Sequence, residues 1–344
     1  MSTLTTSPVQ QPANRPPVRR LARLKSTSLP ALAAVLIFVA MLIYGELAYG
    51  RVLQYSTISN LLINNAQLIL IAIGLTFVII TGGIDLSVGA VIALSGVSGV
   101  MLANAGWSPV VVVVVMILIG TVTGLASATL IEFFNVQPFI ATLSMMFLAR
   151  GIASMLSTES LSLADDSPLR VLATSIKLID GPKVNDLTVT PGVIIALLVL
   201  GAAHFVLNRT RTGRTVYAIG GSEPSALLMG LPVRRTKMVV YAISGTLAGL
   251  AAVIYTARLG SAQNITGTGW ELDAIASVVI GGTLLTGGAG SVLGTVVGAL
   301  VLGMITVLIT RDGGIPPAAT AIITGGILLI FVLLQRAVTG RRKD

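Results

Sequence analysis

Residues 109–131 read PVVVVVVMILIGTVTGLASATLI, with no charged side chain before Glu132. At about 1.5 Å per residue, a helix of this length reaches across a hydrocarbon core roughly 30 Å thick. The run is therefore read as a membrane span. Working outward, further apolar runs bounded by charge, Pro or Gly fall near 30–49, 61–80, 86–104, 138–156, 191–208, 237–257, 272–286, 289–310 and 316–336. The segment at 272–286 is short for a full crossing and is expected to be broken or re-entrant. The expected fold is an all-α polytopic membrane protein of about ten transmembrane helices.

Composition excludes the soluble classes. Of 344 residues, 54% are hydrophobic and only 10% charged, with a mean hydropathy of +0.93, whereas a soluble domain carries about 25% charged residues. Cys is absent, so neither disulfides nor thiolate metal sites are available. The single His, His204, lies in an apolar run with no second His or nearby carboxylate and reads as structural.

The formal charge of +9 is distributed by segment. Residues 1–29 carry Arg15, Arg19, Arg20, Arg23 and Lys25 with no acid and read as a disordered basic tail. The 209–236 loop carries Arg209, Arg211, Arg214, Arg234 and Arg235 against Glu223, and the 337–344 tail is basic again. The 157–190 loop instead holds Glu159, Asp165, Asp166, Asp180 and Asp186 against Arg170, Lys177 and Lys183. The positive-inside rule then puts both termini and the 209–236 loop in the cytoplasm, and the 157–190 loop outside, around a membrane domain at 30–336. The positive charge marks topology, not nucleic-acid binding.

Four stretches carry polar chemistry. In TGGIDLSVG, 81–89, Asp85 either caps the following helix or marks a polar break near a solute path, and Gly82 and Gly83 permit the backbone angles both readings need. Asn60, Asn64 and Gln67 share one helical face, suited to hydroxyl recognition or to hydrogen bonds between helices. In RTGRTVYAIGGSEPSALLMGLP, 211–232, Ser222 and Pro224 start a short helix that stops at Gly230. Its Leu227, Leu228 and Met229 either dock another protein or pack beneath the chain's own spans. In WELDAIASVVIGGTLLTGGAGS, 270–291, Glu271 and Asp273 sit near a helix start and Gly281 and Gly282 suggest a broken helix. No base, nucleophile or metal cluster accompanies these carboxylates, and no phosphate-cradling G-x-x-x-x-G-K-[ST] motif occurs, so an enzyme is not expected.

Together these motifs resemble the membrane subunit of bacterial ABC sugar importers, the branch with ribose, arabinose and galactoside permeases. The resemblance spans about 55–336 and rests on TGGIDLSVG, RTGRTVYAIGG at 211–221, the spacing of Ala226 and Gly230, and ELDAIASVVIGGT at 271–283. The stretch continuing to Gly288 and the ending LLQR resemble the galactofuranose permease within that branch. The resemblance implies a transport subunit in the bacterial plasma membrane that binds no cofactor itself. Its implied partners are an ABC ATPase carrying ATP and Mg, a second permease chain, identical or paralogous, and an extracytoplasmic sugar-binding protein. It further implies that Pro224, Ser225, Ala226, Leu227, Leu228, Met229 and Gly230 form the helix that docks on the ATPase, although the acid that usually leads this motif is displaced to Glu223. The alternative is a stand-alone secondary transporter for a small polar solute.

Overall fold

The computed structural model describes residues 29–340, apart from positions 51, 180, 182–184, 315, 317 and 318. The basic stretches 1–28 and 341–344, and Asp180 and Lys183, lie outside the described residues. In chain order the helices are α1 Leu29–Tyr49, α2 Tyr55–Ile80, α3 Val88–Asn104, α4 Pro109–Phe133, α5 Pro138–Leu156, α6 Pro191–Arg209, α7 Arg211–Gly221, α8 Glu223–Leu228, α9 Val233–Leu259, α10 Trp270–Ile280, α11 Val292–Asp312 and α12 Ala319–Gly340. Seven of them, α1, α2, α4, α5, α6, α9 and α11, are long and apolar enough to cross a membrane. Helix α3 and the Ile322–Phe331 part of α12 are shorter apolar segments.

Two expectations are corrected, and a third, the break in the 272–286 run, is located. Helix α2 begins at Tyr55 rather than near 61, because polar Ser56, Thr57 and Ser59 continue the helix under the 157–190 loop, where the Ser59 hydroxyl accepts from the Thr188 N–H. The run at 272–286 is helical only to Ile280, and residues 281–291 leave the helix at the Gly281-Gly282 pair. The fold is also not purely helical. Strands β1 Leu161–Ser162 and β4 Ser261–Ala262 pair antiparallel, as do β2 Ile176–Ile179 and β3 Leu187–Val189.

Helices α2 and α9 form the centre, with α9 packed on α2, α3 and α4. The opening run explains how α4 joins them. Val112, Met116, Gly120 and Gly124 lie at four-residue spacing on its buried face, while Val110, Val114, Leu118 and Val122 form an exposed apolar stripe on the other. Where lipid replaces water, hydropathy does not separate these faces; side-chain size does. Gly120 and Gly124 meet Gly245 and Gly249 of α9 so closely that a Cβ on Gly120 would lie 2.1 Å from the Gly245 carbonyl oxygen. Each helix is the groove for the other's backbone.

Helix α2 at Gly82, α10 at Gly282 and α8 at Gly230 all end in the same way. Each of these glycines has φ between +71 and +90°, and two back-bonds close each end: Gly82 N–H to Ile79 O and Gly83 N–H to Val78 O, Gly282 N–H to Val279 O and Thr283 N–H to Val278 O, Gly230 N–H to Leu227 O and Leu231 N–H to Ala226 O. This is the left-handed glycine stop that satisfies the last carbonyls of a helix.

Candidate functional site

Two constructions occupy opposite ends of the α10 segment. The first is a polar cavity of about 170 Å³ lined by Asn64, Asn65, Gln67 and Leu68 of α2, Trp270 and Asp273 of α10, Leu302, Gly303 and Thr306 of α11, and Thr320 and Thr324 of α12. Gln67 is only 6% exposed; its amide donates to the Asn64 carbonyl at 2.5 Å. Asn65 donates to Leu61 O at 2.7 Å and fits against Gly303, where any side chain would collide with its amide. Arg258 donates to Asn64 Oδ1 and lies 5.5 Å over the Tyr255 ring, which meets Trp270 edge-on at 4.8 Å. The wall at Trp270 is thereby braced from α9.

Of the residues expected on one α2 face, Asn64 and Gln67 line this cavity and Asn60 does not, being exposed one turn nearer the helix start. Asp273 joins them, but Glu271 does not: it faces α3, where a Cβ on Gly89 would come within 2.5 Å of its Oε2. The threonines of α11 and α12 were not legible as site residues, since single hydroxyls in apolar helices also satisfy their own backbone.

The second construction is a joint where the two breaks meet α7. The Gly288 N–H donates to Ile80 O at 2.9 Å, tying the 281–291 segment to the end of α2. Gly220 of α7 lies against both, and a Cβ there would come 1.8 Å from Ile80 O and 2.3 Å from Gly288 N. Tyr217, also on α7, donates its hydroxyl to Gly290 O at 2.8 Å. Burial raises this phenol above its ordinary pKa, so it donates as a neutral hydroxyl.

Asp85 lies beside this joint, fully buried. Its Oδ1 accepts from the Ser87 N–H at 3.0 Å and the Ser87 hydroxyl at 2.6 Å, and its Oδ2 from the Ser244 hydroxyl of α9 at 2.7 Å. The carboxylate thus binds the start of α3 to α9. Of the neighbouring glycines, Gly83 makes room for the Tyr241 hydroxyl rather than adopting a left-handed angle. Gly281 likewise leaves room for the backbone of Gly294.

Beyond the joint, Ser222 caps α8 by accepting from the Ser225 N–H at 3.4 Å, with Pro224 in the first turn. Ala226 is buried with Ile219 and Val233, while Leu227, Leu228 and Met229 are exposed, Leu228 to 90%. A charged strut holds this helix. Lys237 of α9 donates to Glu223 of α8 at 2.7 Å and lies 3.1 Å from Glu132 at the end of α4. Glu132 was legible only as a lone charge ending an apolar run, and Lys237 only as one of the basic residues that mark the cytoplasmic loop. Among the described residues, no group of three His, Asp or Glu is placed to hold a metal, and His204 pairs with Asn208 one turn away.

A family model described as branched-chain amino acid transport system / permease component matches residues 57–333. The chain is 51% identical to the fructose import permease protein FruG of Bifidobacterium longum, over 98% of each chain. It is 38% identical to the inner membrane ABC transporter permease protein YjfF of Escherichia coli, over 91% of this chain and 93% of that one. It is 39% identical to the ribose import permease protein RbsC of Bacillus subtilis, over 83% and 86% respectively. No solved structure matches the chain. Seven membrane-length helices, the matched family model and these sugar permease relatives converge: the chain belongs to this permease family and is a multi-pass transport subunit of an ABC sugar importer, with ATP hydrolysis on a separate subunit.

Proposed function

We propose that this subunit sits in a bacterial plasma membrane, receives a monosaccharide from an extracytoplasmic binding protein and releases it to the cytoplasm, using a pathway formed with a second permease chain. Fructose leads the candidate substrates, because the relative named for its import is 51% identical over nearly the whole length. Ribose and galactofuranose are the other candidates, the latter resting on the 271–288 stretch and the LLQR ending alone.

Ten crossings are counted by treating α10 with residues 281–291 as one. Supporting this count, Gly260 at the end of α9 contacts Arg170 of the acidic loop, whereas Gly288 after α10 reaches Ile80 and Gly220. Both termini, α7 and α8 are then cytoplasmic, in keeping with the basic segments. Asn64, Gln67 and Asp273 line the pathway, with Asn60 at its approach. Gly82, Gly83, Asp85, Gly281 and Gly282 form the moving breaks, and Glu271 braces α10 against α3.

The observation that carries this reading is the bare apolar tip of α8, Leu227 to Met229, held by the Lys237 strut and joined through α7 to both breaks. A partner ATPase gripping that tip biases the two-state pathway by moving α7 against Ile80 and Gly288. The test is sugar uptake by cells producing the whole importer. Gly230→Arg places a long charged residue at φ +71° beside the tip and is expected to abolish uptake while the protein is recovered in the membrane. Normal uptake in that variant would remove α8 from the coupling role. Uptake by this chain alone, without an ATPase, would overturn the reading in favour of a secondary transporter.

A further inference from the structure

We infer that the cavity at the head of α10 is a binding station for a neutral monosaccharide, so that the permease itself contributes to sugar selection. This inference rests on the importer reading above and goes beyond it, since a permease can conduct without a site of its own.

Gln67 supplies the first argument. Its side chain is nine-tenths buried and lines the cavity; Nε2 is engaged by the Asn64 carbonyl, and Oε1 is buried with no hydrogen-bond partner. A buried acceptor left in this state is destabilising, and one that lines a cavity can be completed by a donor entering it. A sugar hydroxyl is a suitable donor. Asp273 on the facing helix is a second acceptor, Thr306 and Thr320 can both donate and accept, and Trp270 offers an aromatic surface to sugar C–H groups.

Charge and size narrow the ligand. Asp273 lines the cavity and no Lys or Arg does, Arg258 being turned to Asn64 Oδ1 and the Tyr255 ring, so a sugar acid or sugar phosphate would meet a like charge there. An amino acid zwitterion would find a partner for its ammonium but none for its carboxylate. The volume of about 170 Å³ lies below the roughly 300–1,000 Å³ of sites that bury drug-sized ligands, in keeping with one sugar ring rather than an oligosaccharide.

The test uses the reconstituted importer, with ATPase, partner permease and binding protein, and D-fructose, D-ribose, D-galactose and gluconate as probes. Gln67→Leu keeps the bulk but removes the acceptor. Losing one such hydrogen bond is expected to lower the uptake rate at saturating sugar about tenfold and to change the ranking of the three sugars. Gln67→Glu, which retains an acceptor, is expected to recover most of the rate. ATPase stimulation by the loaded binding protein is expected to persist in both variants, which separates the station from the coupling machinery. If Gln67→Leu is not recovered in the membrane, Thr306→Val on α11 carries the same test. A second readout is the fluorescence of Trp270 in the full chain carrying Trp107→Phe, Trp107 being the other tryptophan. Saturable quenching by a neutral sugar but not by gluconate is expected. Uptake rates and sugar ranking unchanged by Gln67→Leu, or by Thr306→Val where that variant stands in, would overturn the station. A wild-type assembly that moves none of the sugars would instead overturn the importer reading beneath it.

Discussion

The cavity at the head of α10 and the joint at its foot are built by opposite means. The cavity is made of polar side chains, one of which keeps an acceptor unused; the joint is made by the absence of side chains, with Gly220, Gly287 and Gly288 bringing three backbones into contact. The difference fits the roles proposed for the two ends. A station for a passing solute needs hydrogen-bonding capacity that the protein does not consume, yet weak enough binding to release. A joint that transmits displacement needs contact without slack, because packed interfaces switch between discrete arrangements rather than deform smoothly.

Three substitutions probe the joint side of this comparison, in decreasing order of effect. Gly220→Val has the largest, since its Cβ would overlap Ile80 O and Gly288 N. Uptake is expected to vanish and thermal stability in detergent to fall, whereas Gly221→Val, with open space around it, is expected to leave both unchanged. Equal behaviour of the two variants would dissolve the joint as a distinct structure.

Asp85→Ala comes next. It strands the Ser87 N–H and two serine hydroxyls in a buried site, at a cost of about 1–3 kcal/mol, read as a lower midpoint of thermal unfolding. Asp85→Asn is expected to be milder, because serine hydroxyls can reorient to accept from the amide, and to retain uptake. Lost uptake in Asp85→Asn at unchanged stability would move this residue from the joint to the solute path.

Tyr217→Phe has the smallest expected effect. It removes one hydrogen bond, to Gly290 O, worth about 1 kcal/mol, and is expected to reduce uptake severalfold without altering ATPase activity. A change in the ranking of transported sugars would instead show that joint and cavity are not separable.

Much of this was legible before any coordinates, and what was legible shares a cause. Gly82, Gly230 and Gly282 were readable as breaks because a helix stop is a local event, completed within six residues by its own backbone. Ser222, Pro224 and the apolar tip of α8 were readable for the same reason. Glu271 and Asp273 were readable as a pair at a helix start, but two positions apart on a helix they face different neighbours: one meets α3, the other the cavity. The strut of Glu132, Glu223 and Lys237 joins residues far apart in the chain, so no spacing rule connects them.

The sequence by itself determined that the chain lives in a bilayer, where its helices break and where the short helix after Ser222 starts and stops, since hydropathy, caps and glycine stops act over a few residues. Only the tertiary structure decided that Gln67 and Asp273 face one cavity, that Gly220 meets two breaks at once, and which stripe of the 109–131 run faces inward. That run is apolar all round, and in lipid the choice of face depends on how closely another backbone can approach. Gly120 and Gly124 answer it only once Gly245 and Gly249 lie opposite.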